Sequence, residues 1–234
     1  MTIDEWIKNG KPWNVILHGD CMDLMKHFND KEVSLSIVDP PYGIGMDGMT
    51  TITGISGKSN TFSNIQHHTK KGWDNSTPDK TYFTELQRIS KNQIVWGGNY
   101  FTDKLPVSRG WIYWDKKITN AKNHTHSDGE LAWTSFDKIL KRFVYDWIGF
   151  GYLNNPAGEK KIHPTQKPVA LYRWLLQNYA KPGDKIIDTH SGSGSLACAC
   201  HLEKFDFLAI EKDEDYYKSS CDRLEILRSQ GTLF

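Results

Sequence analysis

Asp39, Pro40, Pro41 and Tyr42 follow directly on the apolar run Val33-Ser-Leu-Ser-Ile-Val38. Proline has no backbone N–H and fixes φ near −65°. The pair therefore leaves stiff carbonyls beside one carboxylate, with few donors to compete. Such a wall accepts hydrogen bonds and offers almost none, which suits an amino group that must be held by both of its hydrogens. Tyr42 adds a flat ring face beside it; on this reading the ring matters and its hydroxyl does not. A second string, Asp188-Thr-His-Ser-Gly-Ser-Gly-Ser195, puts Gly192 and Gly194 in a tight turn ahead of a helical pattern. Turns of this kind bring backbone N–H groups close to a ligand at a helix N-terminus. Glu211 ends the next apolar run, where an acidic side chain can accept hydrogen bonds from a ribose diol.

The elements that must position these residues can be read from periodicity. Residues 13–18 and 33–38 read as buried strands that stop at turns, with helical spacing between them over residues 22–28. Residues 43–80 change character: Gly, Ser, Thr and Asn dominate, and regular periodicity is lost. A helix is expected over 81–91, then strands at 93–96, 111–114 and 131–136. An amphipathic helix follows at 169–180, ended by Pro182-Gly183. The last third reads strand (185–188), Gly-rich turn, helix (from 196), strand (205–210), helix (213–228). This rhythm belongs to parallel βαβ packing. The string Gly192-Ser-Gly-Ser-Leu-Ala197 also fits the GxGxxA turn of a nicotinamide dehydrogenase. However, only 40 residues follow Gly194, too few for a full dinucleotide fold. The remaining strands must come from earlier in the chain, in a permuted order.

Composition narrows the classes further. The 234 residues carry 29 Lys+Arg against 28 Asp+Glu, a formal net charge of +1, so bulk basicity cannot be what attracts a nucleic acid. No apolar run approaches the roughly 20 residues of a membrane span. The first residues, MTIDEWIKNG, lack the basic and apolar regions of a secretory signal. Cys21, Cys198, Cys200 and Cys221 form no CxxC pair, which argues against a zinc ribbon or a redox motif. A reducing cytoplasm is the expected compartment.

The tetrapeptide 39–42, the string His163-Pro-Thr-Gln-Lys-Pro168 and the turn 188–195 occur in an order and at spacings that resemble the β-class of DNA amino-methyltransferases. In that class the catalytic strand precedes the cofactor motif, which accounts for the permutation. The resemblance runs from Gly19-Asp20-Cys21 to the helix beyond Glu211. It implies an α/β fold with a Rossmann-like methyltransferase sheet, mostly parallel, with helices on both faces and a circularly permuted motif order. It also implies a single methyltransferase domain over residues 1–234, with target-recognition insertions near 43–80 and 115–150. Carried over residue by residue, Asp39, Pro40, Pro41 and Tyr42 would be catalytic. Asp188, Gly192, Ser193, Gly194 and Ser195 would form the turn for S-adenosyl-L-methionine, and Glu211 would bind its ribose. Asp20 and the backbone of Cys21 would read the cofactor's adenine, while His163, Thr165 and Lys167 would hold its methionine end.

The implied reaction is methyl transfer to N6 of an adenine flipped out of double-stranded DNA, without metal. N4-methylation of cytosine, an RNA substrate and a catalytically silent nucleic-acid-binding module are alternatives that the same residues leave open. A homodimer and a cognate restriction enzyme are compatible partners. With a net charge of +1, DNA contact is expected where cations cluster. One cluster is Lys58, Lys70 and Lys71, in a stretch with no acid from residue 48 to 73. The other is Lys116, Lys117 and Lys122, with Asn120 and Asn123 as hydrogen-bonding tips and no acid before Asp128.

Overall fold

The apolar runs of the sequence become neighbours in an eight-stranded sheet. The structure, a computed structural model, describes residues 1–48, 50–55, 62–67, 69–116, 127–145, 147, 159 and 161–231, with 50–55 and 62–67 described through their backbone. In chain order the elements are α1 (Ile3–Lys8), β1 (Val15–His18), α2 (Cys21–Met25), β2 (Val33–Val38), β3 (Thr50–Ile55), β4 (Phe62–His67), α3 (Lys80–Ile89), β5 (Ser90–Trp96), β6 (Trp111–Asp115), β7 (Gly129–Thr134), β8 (Lys141–Val144), α4 (Val169–Tyr179), β9 (Lys185–Asp188), α5 (Ser195–Glu203), β10 (Asp206–Glu211) and α6 (Glu214–Ser229).

The sheet order is β1-β10-β9-β2-β5-β7-β6-β8. Neighbours from β1 through β5 are parallel. Strand β7 runs against β5 and β6, and β8 returns parallel to β6. The mostly parallel α/β sheet expected from the motifs is thus found, and so is its permutation. Leu35 of β2 pairs with Ile186 of β9, although the two strands lie at opposite ends of the sequence.

Period-two alternation explains the two cores. On β9 and β10, Ile186, Phe207 and Ala209 face one layer with α4 and α5, while Ile187, Leu208 and Ile210 face the other with α2 and α3. Helices therefore cover both faces, as strands buried on both sides require.

Four elements escaped the sequence reading. The β3–β4 hairpin is paired from Thr50↔His67 to Ile55↔Phe62, inside the stretch read as irregular. Its flanks are tied by two acids. Asp74 accepts from the backbone N–H of Gly43 and Met46, both at 2.8 Å, and Asp47 accepts from those of Lys71 and Gly72. The four-residue β8 is mostly exposed, so it carries no apolar signature. Helix α1 has only six residues but a full capping box between Thr2 and Glu5.

The parallel strands all end on one edge. Asp20 follows β1, Asp39 follows β2, Gly97 follows β5, Asp188 closes β9 and Glu211 closes β10. From β9 the chain continues to β10 on one side, and from β2 to β5 on the other. The β9/β2 boundary is therefore the switch point at which open α/β sheets form a crevice.

Candidate active site

Both oxygens of Asp39 are engaged. Tyr42 Oη donates to Oδ1 at 2.6 Å, and Lys167 Nζ donates to Oδ2 at 2.5 Å. Lys167 also lies 3.0 Å from Glu130, which in turn pairs with Lys116 at 2.6 Å. The Lys167 side chain is only 3% exposed, so this is an interior ion cluster. Burial pushes the Asp39 carboxyl up; Lys167 pulls it back and Glu130 adds to the rise. For Glu130 the two lysines outweigh burial and bring it down to about 2. Burial alone would lower Lys167, but Asp39 and Glu130 together raise it. Glu130 was not singled out from the sequence. Its one signal there is a carboxylate opening the otherwise apolar stretch Leu131-Ala-Trp133.

The Tyr42 ring is held by its neighbours. Tyr100 stacks on it with centroids 4.9 Å apart and planes at 16°, and Phe101 meets it edge-on. Gly97 sits at φ +69°, and a Cβ there would lie 2.2 Å from the Tyr42 ring. Glycine is thus required twice over, for its backbone conformation and for the approach of the ring.

Beside Asp39 opens a cavity of about 660 Å³. It gathers Asp39 and Pro41 from the first motif, and Gly192, Ser193, Ser195 and Glu211 from the second. Asp20, Cys21, His163, Thr165 and Lys167 line it as well. Gly192 and Gly194 have φ of +49° and +70°, so the turn uses the conformations that glycine permits. Glu211 clamps it: Oε2 accepts from Gly192 N at 2.7 Å and Oε1 from Asp213 N at 2.8 Å. Burial raises the Glu211 carboxyl against these bonds. Asp188 is buried at the root of the turn, accepting from His190 N, and burial pushes its carboxyl up to about 8. Burial likewise brings His190 down to about 4 and the Cys21 thiol up to about 12. Asp20 N-caps α2 through Met22 N at 2.8 Å.

The 163–168 string is tied to this turn. Ser195 Oγ donates to the carbonyl of Lys167 at 2.7 Å, and Arg223 donates to Ser195 Oγ at 2.9 Å. His163 packs against Trp73 and Tyr216, with Thr165 N donating to its Nδ1 at 3.3 Å. The ammonium of Lys167 points instead to Asp39 and Glu130. The methionine-end role expected for Lys167 therefore meets a different geometry, in which Lys167 reaches the acceptor wall.

Residues 33–222 match a family model described as DNA methylase, of the N6/N4 methyltransferase type. That span takes in both motifs and most of the chain. The chain belongs to this family of DNA methylases. It is 25% identical to the type II methyltransferase M2.MboI of Moraxella bovis, over 89% of this chain and 86% of the relative. It is also 25% identical to the DNA adenine methyltransferase YhdJ of Escherichia coli K12, over 93% and 84%. Among solved structures, the M1.HpyAVI–SAM complex superposes with a TM-score of 0.57 at 19% identity, covering 89% of this chain and 98% of that one. The cytosine-N4-specific PvuII DNA methyltransferase gives 0.55 at 12% identity, covering 92% and 91%. These likenesses show the fold.

In the methylase, two cations expected to face DNA are bound to acids of the same chain. Lys71 pairs with Asp213 and Asp215, each at 2.6 Å, and lies over the Tyr216 ring. Lys116 pairs with Glu130 and lies over the Trp114 ring. Both ammonium groups thus brace the site, where a phosphate contact was anticipated. Lys70 is exposed. Lys58, Lys117, Asn120, Lys122 and Asn123 lie outside the described residues. Among the described residues no helix is long and apolar enough to cross a membrane.

Proposed function

We propose that this methylase transfers a methyl group from S-adenosylmethionine to N6 of an adenine flipped out of duplex DNA. One observation carries the reading. A single cavity at the β9/β2 switch point is lined on one side by Asp39 and Pro41, and on the other by the Gly192–Ser195 turn with Glu211. Its volume lies in the range of small-molecule sites. The lining also fits the cofactor. Ser191 lines the cavity, its Oγ buried and without a hydrogen-bond partner among the described residues, while Glu211 and Asp20 supply acceptors at two strand ends. When bound, the cofactor supplies an electrophilic methyl on sulfur.

The protein's part is to shape the nucleophile. The lone pair of an exocyclic amine is delocalised into its ring. Asp39 and the carbonyl of Pro40 accept the two amino hydrogens and turn the lone pair toward the methyl. Positive charge then develops on nitrogen, where the Asp39 carboxylate stabilises it. As the nitrogen gains the methyl it must lose one proton, and the Asp39 carboxylate, already accepting from that amino group, would take it and release it to solvent. The remainder is in-line positioning.

The family's description as DNA methylase and the name of YhdJ support a DNA substrate, and the latter supports adenine over cytosine. A restriction–modification setting and a cytoplasmic location belong to the same reading, beside a relative named as a type II methyltransferase. In this reading residues 1–234 form one methyltransferase domain, with the insertions near 43–80 and 115–150 facing DNA. Nucleoside analysis of DNA from cells expressing the chain tests the choice of base. N6-methyladenine should accumulate; N4-methylcytosine in its place, or no modified base, contradicts the proposal.

A further inference from the structure

We infer that Lys167 and Glu130 are positioning residues that keep Asp39 in its hydrogen-bond-accepting form, with Glu130 cancelling the charge of Lys167 beside the reacting nitrogen. The inference rests on the proposed role of Asp39 as acceptor of the amino group.

Four charges of alternating sign meet here: Asp39, Lys167, Glu130 and Lys116, with separations of 2.5, 3.0 and 2.6 Å. They come from four separate parts of the chain: the turn after β2, the segment before α4, strand β7 and the residue that follows β6. Side-chain exposures of 3–21% place the whole ladder inside the protein. A carboxylate taken out of water without a cation keeps its proton. A protonated Asp39 presents a hydroxyl where the amino group needs an acceptor. The Lys167 ammonium opposes that outcome. Alone, however, it would add a positive charge close to the nitrogen on which positive charge develops. Glu130, 3.0 Å from the same ammonium, offsets it. The two residues therefore have separable effects of opposite sign on Asp39.

Other groups face Asp39 from every side. Tyr42 donates to Oδ1 and stands 3.2 Å from Lys167 Nζ. Tyr172 of α4, Tyr82 of α3 and Asp188 of β9 lie near enough for the Asp39 charge to act on them. Burial raises both tyrosines and holds Asp188 near 8, so near neutrality none of the three places a full negative charge there. Beyond Lys116 lies Lys161, which burial and Lys116 bring down to about 8.

The test compares rate–pH profiles of single-turnover transfer from tritiated S-adenosylmethionine to unmethylated genomic DNA, with cofactor affinity measured separately by calorimetry. For Lys167→Met the acid limb should move up by about one pH unit or more, because an opposite charge near a carboxylate shifts it by that much. Cofactor Kd should change by less than about fivefold. Lys167→Arg, which keeps the charge, should return the limb toward the wild-type position. For Glu130→Gln the limb should stay or move down, while the plateau rate falls by about tenfold. An unmoved limb in Lys167→Met overturns the inference. So does a loss of cofactor affinity larger than about fivefold, which would make Lys167 a cofactor ligand. An upward shift or an unchanged plateau in Glu130→Gln overturns it as well. If Lys167→Met does not fold, Glu130→Gln decides by its own two criteria, and a limb in Lys167→Arg displaced upward by about a full unit overturns the inference as well. Asp39→Asn runs alongside. Loss of transfer there with a wild-type limb in Lys167→Met defeats only the inference. Retained transfer in Asp39→Asn defeats the proposed function itself.

Discussion

The hydroxyl of Tyr42 donates a 2.6 Å hydrogen bond to Oδ1 of Asp39, three residues earlier in the chain. The sequence suggested a ring face whose hydroxyl was dispensable; the structure makes that hydroxyl part of the acceptor wall. It helps fix the carboxylate plane in front of the cavity. A hydrogen bond to a charged group contributes about 1.5–3 kcal/mol. Tyr42→Phe should therefore slow single-turnover transfer by roughly tenfold or more, without altering cofactor affinity. Tyr42→Ala should be slower still, because it also removes the ring that Tyr100 and Gly97 enclose. Equal rates for wild type and Tyr42→Phe would return the hydroxyl to a passive role.

Glu211 both faces the cavity and clamps the turn through Gly192 N and Asp213 N. Glu211→Ala should weaken S-adenosylmethionine binding by about ten- to a hundredfold, the scale of a missing charged hydrogen bond. Glu211→Gln, which keeps an acceptor for one backbone N–H, should lie between that and wild type. Calorimetric titration checks both; an unchanged Kd in Glu211→Ala places the ribose elsewhere.

Asp188 links the site to stability. Its folded carboxyl titrates at about 8, against about 3.9 in an unfolded chain. Between those values the folded state holds a proton that the unfolded state has lost, so this group's contribution to stability falls as pH rises from about 4 to about 8. Each unit of separation corresponds to about 1.4 kcal/mol, so the full effect is on the order of several kcal/mol. Urea unfolding should show wild type losing more stability than Asp188→Asn between pH 5 and pH 8. Parallel curves would contradict this.

Lysines near the site and lysines toward DNA should separate by salt. Lys71 is bound to Asp213 and Asp215, so Lys71→Ala should leave the salt slope of DNA affinity unchanged. Replacing Lys117 and Lys122 together by Ala should flatten that slope by about 1.8, near 0.9 for each phosphate that is no longer neutralised. Filter binding across a salt series measures both. The reverse pattern would place DNA against α6.

Much of this site was legible because its chemistry is local. Asp39 to Tyr42 are contiguous, and Gly192 and Gly194 mark their turn by residue type alone. Strand β2 was readable to its last residue because burial on both faces leaves an almost continuous apolar run. What escaped depends on contacts between distant segments. Glu130 gains meaning only when the reversed strand β7 sets it against Lys167 and Lys116. Lys71 and Lys116 read as free cations because the acids that bind them are remote in sequence or on a neighbouring strand. The β3–β4 hairpin escaped because its strands, Thr-Thr-Ile-Thr-Gly-Ile and Phe-Ser-Asn-Ile-Gln-His, are largely polar and its ties come from Asp47 and Asp74.

The most direct test of the acceptor wall is single-turnover transfer of tritium from labelled S-adenosylmethionine to unmethylated genomic DNA by wild type and Asp39→Asn, with cofactor Kd measured on the same preparations. Loss of one preorganised electrostatic partner typically costs about 10²–10³ in rate. Expected is a fall of at least that size in Asp39→Asn, with cofactor affinity close to wild type. Transfer within about tenfold of wild type would contradict the central role given to Asp39.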